Sequence, residues 1–241
     1  MKAMILAAGF GTRLGEIGKT LPKCLLEVGG KTMLEHVVER LGAAGVSGLV
    51  INAHHLAEAV QEFVERKKNF GMPVSFSFEK QIQGTGGGIK AARELLGENE
   101  SFFVHNADIY SEFDLCQLWE SHSRTKALAT LAVMQRETTR PLLFDREHCL
   151  KGWIGEDGQG QSIATAESLT KLAFSGIQVV SPKIFDYMND FQIPFSSIAV
   201  YMQASRNGAR VIGQEYTAES WMDVGTPEKL EKLRMRLAAR P

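Results

Sequence analysis

Long apolar runs are missing from this chain of 241 residues. Nothing approaches the roughly 20 consecutive apolar residues that cross a bilayer, so no membrane partner is expected. Neither sign of charge dominates, with 27 Lys and Arg against 28 Asp and Glu and a formal net charge of -1. Binding along a phosphate backbone needs a net basic face, which argues against nucleic acid as the main partner. Cysteine is scarce: Cys24, Cys116 and Cys149 are odd in number, far apart and in no C-x-x-C or His-paired spacing. Reduced thiols are expected, without a disulfide framework or a zinc site. There is no internal repeat, low-complexity tract or Pro/Ser-rich linker. The apolar start, residues 3–8, is too short for a signal-peptide core and runs into Gly9, so the expected compartment is the cytoplasm. The sequence sets no oligomeric state.

What is present is enough apolar content, 44%, to bury a sizeable core. The first half alternates short apolar runs with amphipathic stretches, as a mainly parallel sheet covered by helices requires. Strands are predicted at residues 3–8, 49–51, 74–78 and 102–104. Helices are predicted at 33–44, opened by a Thr32/Glu35 capping box, at about 56–67, and from about Ile89 after the glycine run 84–88. From Ala127 the texture changes to longer or antiparallel strands at 127–134, 141–144 and 173–180, with a glycine-rich excursion at 152–160. A helix is expected at 197–204, short strands at 211–212 and 221–223, and a final helix capped by Thr226 with Pro227 in its first turn. The expected fold is α/β: a single-domain, Rossmann-like three-layer sandwich with a mixed, mainly parallel sheet. Residues 1–125 would form a nucleotide-binding half and 126–241 a substrate-facing half.

The first strand runs into Gly9-Phe10-Gly11-Thr12-Arg13-Leu14. Glycines directly after a parallel strand let backbone N–H groups approach phosphate oxygens with no Cβ in the way, and Arg13 adds a permanent, fork-shaped cation. The plainer alternative is a tight strand-exit turn with a surface arginine. A dinucleotide fingerprint fails because Leu14 stands at its third glycine. Gly18-Lys19-Thr20 supplies the end of a P-loop, but Arg13 occupies the position of its first glycine. Pro22 also falls where the P-loop helix needs N–H donors. Lys23, stiffened by Pro22, is a second candidate cation.

The run Phe102 to Asp108 turns polar at its carboxyl end, the edge where parallel sheets bind ligands. Asp108 there suits Mg²⁺, which takes one or two carboxylates together with phosphate oxygens and water. Asp223 ends another short strand before a capped helix and is the second candidate metal ligand. Each aspartate alone would more often be a turn or capping residue. A glycine loop and two cations in the same chain favour the metal reading.

Together these residues resemble the sugar-1-phosphate nucleotidylyltransferases. The family opening, L-A-A-G-x-G-T-R-L followed by P-K, is matched by Leu6 to Leu14 with Pro22-Lys23, and G-T-x-G by Gly84-Thr85-Gly86-Gly87. Asp108, the segment Phe174 to Ile177, and W-x-D-V-G-T at Trp221 to Thr226 carry the rest. The resemblance covers essentially the whole chain. It is nearest to the short bacterial N-acetylmuramate-1-phosphate uridylyltransferases and mannose- or heptose-1-phosphate guanylyltransferases, through residues 50–55 and 85–88. With the chain stopping after its final helix, no β-helical acetyltransferase domain is expected. Departures are Glu16 and Gly18 in place of P-x-T, Cys24 in place of a proline, Ala199 in place of an aspartate, and the loss of an E-K-P triplet.

The resemblance implies Mg²⁺-dependent transfer of a nucleoside monophosphate from an NTP (UTP or GTP) to a sugar 1-phosphate, releasing pyrophosphate. Such an enzyme makes nucleotide sugars for the cell envelope. Uridylyl transfer to an N-acetylmuramate-type sugar is the first expectation, and guanylyl transfer to mannose or heptose 1-phosphate the alternative. An inactive regulatory relative or a P-loop NTPase fits less well, since Arg13, Lys23, Asp108 and Asp223 are all present. Arg13 and Lys23 would be catalytic, with Asp108 and Asp223 on the metal. Leu6, Ala7, Ala8, Gly9, Gly11, Thr12, Gln81, Gln83, Gly86 and Gly87 would hold the nucleotide. Asn106, Glu167, Lys171, Ser175 and Gly176 would face the sugar phosphate.

Overall fold

Side chains of the first strand, β1 (Lys2–Leu6), alternate between two cores. Ala3 and Ile5 join one apolar cluster and Met4 joins the other. A strand buried on both faces needs a helical layer on each side, and its period-two alternation supplies both. The computed structural model describes residues 1–163 and 169–239.

After β1 come α1 (Glu16–Thr20), the hairpin β2 (Glu27–Val28) and β3 (Lys31–Thr32), α2 (Met33–Ala43), β4 (Gly48–Ala53), α3 (Ala57–Arg66) and β5 (Val74–Phe78). The chain continues through α4 (Gly84–Ala91), α5 (Arg93–Leu96), β6 (Phe102–Asn106), β7 (Ile109–Ser111) and α6 (Leu115–Thr125). Next are β8 (Ala129–Met134), β9 (Leu142–Phe144), β10 (Leu150–Ile154), β11 (Gly160–Ser162) and β12 (Thr170–Val180). The last elements are α7 (Ser197–Arg206), β13 (Val211–Tyr216), β14 (Trp221–Asp223) and α8 (Pro227–Ala238).

The main sheet runs β5-β4-β1-β6-β12-β9-β10-β11, with β8 also paired to β12 and β13 to β8. Strands β5, β4, β1 and β6 are parallel, and so are β8 and β13. Antiparallel β12 joins these two parallel blocks through β6 and β8, so both halves of the chain build one mixed sheet. Leu34 and Val37 of α2, Val60 of α3 and Leu118 of α6 pack on one face. Ile89 of α4 and Val200 and Tyr201 of α7 pack on the other. The result is an α/β sandwich of three layers. Two small ribbons, β2–β3 and β7–β14, lie apart from this sheet and share a third cluster with Leu230 and Leu233 of α8.

Helix α2 starts where expected because Thr32 Oγ1 accepts from Glu35 N (3.2 Å) while the Glu35 carboxylate accepts from Thr32 N (2.9 Å). Thr226 likewise caps α8, with Pro227 in its first turn. The glycine run departs from expectation: α4 begins at Gly84, so the glycines are themselves helical. Glycine costs a helix about 1 kcal/mol against alanine, and packing explains why it stands here. A Cβ on Gly86 would lie 2.5 Å from the Phe195 ring, and one on Gly87 3.1 Å from Ile193 Cγ2. The excursion at 152–160 holds a hairpin turn, with Trp153 of β10 paired to Gln161 of β11. Helix α6 was not foreseen, although Asp114 caps it by accepting from Gln117 N at 3.1 Å. Gly18-Lys19-Thr20 closes the short α1 instead of following a strand, in keeping with rejection of a P-loop.

Candidate active site

Strands β1, β4 and β6 run parallel, so their carboxyl ends lie side by side, and a cleft of about 250 Å³ opens there. Leu6 at the end of β1 and Ala7, Ala8 and Gly9 just after it line the cleft, with Asn52 from β4, Asn106 at the end of β6, and Ala107 and Asp108 just after it. Lys23 and Cys24 close one wall, and Glu79, Ile82, Gly84 and Thr85 another. Every lining residue belongs to the first half of the chain.

Lys23 sits on a short helical turn made by Leu25 N donating to Pro22 O (2.9 Å) and Leu26 N to Lys23 O (3.2 Å). Its ammonium lies 3.5 Å from Asp108 Oδ2, and both side chains are largely covered. Neighbouring Cys24 is buried, and desolvation pushes its thiol pKa up to about 12, so it is neutral and no nucleophile. Gly11, Thr12 and Arg13 continue beyond the cleft, with Thr12 and Arg13 exposed. A Cβ built on Gly225 would lie 2.8 Å from Asp223 Oδ1 and 3.0 Å from Arg13 Nη2. Gly225 thus admits the Arg13 guanidinium beside Asp223.

Asp223 is brought in by the β7–β14 ribbon, where it pairs with Ile109, the residue after Asp108. Its carboxylate accepts from Gly225 N at 3.1 Å and from Lys229 Nζ at 2.5 Å. Asp108 and Asp223 are the carboxylates that would hold a Mg²⁺ ion taking its remaining ligands from phosphate and water. No cluster of three or more His, Cys, Asp or Glu suited to a metal occurs among the described residues. A bound phosphate would also compete for Lys23 and Lys229, releasing carboxylate oxygens.

Among the residues expected to face the sugar phosphate, Gly176 has φ 85°, and a Cβ there would lie 2.7 Å from Asn106 Nδ2. Only glycine lets β12 come so close to the Asn106 amide. Ser175 is buried: its hydroxyl accepts from Ile177 N (3.1 Å) and its carbonyl from Trp221 Nε1 (2.9 Å). Ser175 therefore ties β12 to β14, outside the cleft lining. Lys171 is exposed farther along β12, opposite Leu143 of β9, and also lies outside that lining. Glu167 lies outside the described residues.

The residues expected to hold the nucleotide are divided. Gln81 is exposed, and Gln83 turns its backbone to Glu79 and Phe195. The Gly86 and Gly87 amides donate to Phe195 O at 3.0 and 3.4 Å, so these glycines serve helix packing and do not line the cleft. In their place stand two residues the sequence reading passed over. Asn52 Nδ2 donates to Glu79 Oε1 at 2.6 Å, and Glu79 Oε2 accepts from Gln83 N at 2.8 Å. Both side chains are buried. Glu79 directly follows β5 at the same carboxyl edge as Asp108, which was the available signal.

The sequence profile described as "Nucleotidyl transferase" matches residues 2–144. The chain belongs to the nucleotidyl transferase family. Over 237 residues it is 31% identical to the mannose-1-phosphate guanyltransferase of Schizosaccharomyces pombe, covering 95% of this chain and 62% of the relative. The relative from Yarrowia lipolytica, also a mannose-1-phosphate guanyltransferase, is 37% identical over 139 residues, which are 57% of this chain and 38% of that protein. The chain thus spans less than two thirds of the length of either. Its fold matches a putative glucose-1-phosphate thymidylyltransferase from Bacillus anthracis with TM-score 0.84 at 20% identity, over 100% of this chain and 96% of the other. HddC from Yersinia pseudotuberculosis, solved with GMP-PN, matches with TM-score 0.72 at 23% identity over 98% of both chains. Among the described residues no helix is long and apolar enough to cross a membrane.

Proposed function

We propose that this protein transfers a guanylyl group from GTP to a mannose- or heptose-type sugar 1-phosphate, releasing pyrophosphate, with Mg²⁺ as cofactor. The observation that carries nucleotidylyl transfer is the convergence of the β1 exit loop, Lys23, Asn106 and Asp108 on one cleft, with Arg13 and Asp223 meeting at Gly225 beside it. A sugar-phosphate oxygen attacks the α-phosphorus in line as the bond to the β-phosphate oxygen breaks. A phosphate dianion is already a nucleophile, so the site needs no general base, and alignment with charge cancellation are its tasks. Arg13 and the loop amides receive the departing pyrophosphate. Lys23 bridges the α-phosphate and the incoming phosphate. Asp108 and Asp223 would hold the Mg²⁺, whose contribution is to neutralise charge on the α-phosphate.

The guanyltransferase relatives favour GTP over UTP, and the wall formed by Glu79 supports the same choice. Guanine presents N–H donors on its pairing edge, which a carboxylate can accept. Uracil presents two carbonyl oxygens flanking a single N–H, and a carboxylate repels them. Glu79 keeps free lone pairs beyond those used by Asn52 and Gln83. Uridylyl transfer to an N-acetylmuramate sugar, the first expectation from sequence, therefore gives way to its alternative. The test is a pyrophosphate-release screen crossing GTP, UTP, ATP, CTP and dTTP with mannose, heptose, glucose and N-acetylmuramate 1-phosphates. Turnover confined to UTP would overturn the base assignment, and no turnover with any pair would overturn the activity.

A further inference from the structure

A second cavity, of about 530 Å³, opens at the opposite edge of the sheet. It lies where β8 and β13 begin and β12 ends, a junction closed by Leu128 N donating to Arg210 O (2.7 Å) and Ser181 N to Leu128 O (2.9 Å). Ser101, just ahead of β6, lies on its wall, while Asn106 at the other end of β6 lies on the nucleotide cleft. At about 3.3 Å per residue, the five steps from Ser101 to Asn106 hold the two openings roughly 17 Å apart. They share no lining residue.

The charge around this cavity is one-sided. Lys126, Lys183 and Arg210 line it, against the single carboxylate of Asp186. Among the described residues none of the three cations has an ion-pair partner. Lys126 follows the carboxyl end of α6, where the helix dipole alone favours a cation. That explanation does not extend to Lys183 and Arg210, which come from the segments after β12 and before β13. His122, whose ring nitrogens lie 3.0 Å from Thr130 Oγ1 and 2.9 Å from Ser101 Oγ, adds no further charge near neutral pH, because burial pushes its pKa down to about 4. Converging cations left without carboxylate partners, in a chain of balanced charge, form an anion receptor. A guanidinium fork with two ammonium groups suits the several oxygens of a phosphate group.

We propose that this cavity is a second ligand site, separate from the nucleotide cleft, which binds a phosphorylated small molecule through Lys126, Lys183 and Arg210. The probe is radiolabelled inorganic pyrophosphate in equilibrium dialysis with the full chain. An Arg13→Ala/Lys23→Ala variant weakens the nucleotide cleft and should retain one saturable equivalent of probe. Adding Lys126→Gln, Lys183→Gln and Arg210→Gln should weaken that equivalent at least about tenfold, the scale of losing charge-assisted hydrogen bonds. These three side chains are exposed, and an unchanged thermal midpoint without probe checks the fold. Asp186→Asn removes the opposing charge and should tighten binding, a gain that misfolding cannot imitate. Retained affinity after removal of all three cations, or no saturable equivalent once Arg13 and Lys23 are gone, overturns the proposal.

Discussion

The backbone nitrogen of Val224 donates to the carbonyl oxygen of Asp108 at 2.9 Å. This bond extends the β7–β14 ribbon by one step and sets the backbones of Asp108 and Asp223 on neighbouring positions from distant parts of the sequence. Each is held by a lysine, Asp108 by Lys23 and Asp223 by Lys229.

Asn at either position keeps the ribbon and the side-chain size but removes the charge. Asp108→Asn and Asp223→Asn should each lower turnover at least about 100-fold, the scale of losing a key electrostatic group. A titration of turnover with Mg²⁺ separates weakened metal binding from loss of fold. Near-normal turnover of both variants at saturating Mg²⁺ would remove the carboxylates from the metal site.

Arg13 and Lys23 should separate by role. Arg13→Lys keeps the charge and loses the fork that grips two phosphate oxygens, so the maximal rate should fall even at saturating nucleotide. Lys23→Ala should raise the KM for the sugar phosphate and also slow the step, because Lys23 sits within the cleft against Asp108. Steady-state kinetics with each substrate varied in turn reads both effects. An unchanged maximal rate for Arg13→Lys would take the fork out of the mechanism.

Glu79→Gln replaces a pure acceptor with a group that also donates. The GTP preference, expressed as the ratio of kcat/KM for GTP and UTP, should fall by about tenfold or more, as losing a hydrogen bond to a charged group costs about 1.5–3 kcal/mol. Competition assays with both nucleotides present measure that ratio directly. Equal losses for both nucleotides would leave Glu79 a structural role through Asn52 and Gln83 alone.

The parts of the site that follow a local rule were legible in the sequence. Glycines after a strand, Lys23 after Pro22 and a carboxylate at a strand end are backbone-proximal features, and the structure brings Gly9, Lys23 and Asp108 to one cleft. What escaped depended on contacts remote in sequence. The glycines at 84–88 looked like a ligand loop because nothing local shows that Phe195 will press on them. Glu79 and Asn52 escaped because a buried carboxylate–amide pair has no periodic signature. Helix α6 escaped although Asp114 marked its start.

The packing role of the glycine run predicts a stability effect. Gly86→Ala gains up to about 1 kcal/mol of helix propensity but places a methyl group against the Phe195 ring, and such overpacking costs about 1–3 kcal/mol. The folded state should therefore lose stability in urea unfolding. Phe195→Leu should cost less in the Gly86→Ala background than alone, since the two changes share one contact. Purely additive losses would show that Gly86 is not held by Phe195.

Acid should destabilise the fold through its buried histidines. Burial pushes His105 and His122 down to about 4, with the nearby Arg40 cation also acting on His105. Their unfolded pKa is about 6.5, so below that value the unfolded chain binds protons that the folded chain refuses. Stability is fully present above about pH 6.5 and falls as pH drops towards about 4, by about 1.4 kcal/mol per unit for each histidine. Carboxylates held low by their partners, such as Glu35 beside Lys67 and Asp145, which accepts from the Cys149 amide and pairs with Lys151, add losses mainly at the acidic end. The interval from about pH 6.5 to 5 therefore reports chiefly on histidine. Urea unfolding at half-unit steps across that interval measures the slope. His122→Gln should cost stability at neutral pH, because it breaks the contacts with Thr130 and Ser101, and should also make the slope shallower. A slope unchanged by that substitution would mean that His122 carries its proton in the folded protein as readily as in the unfolded one.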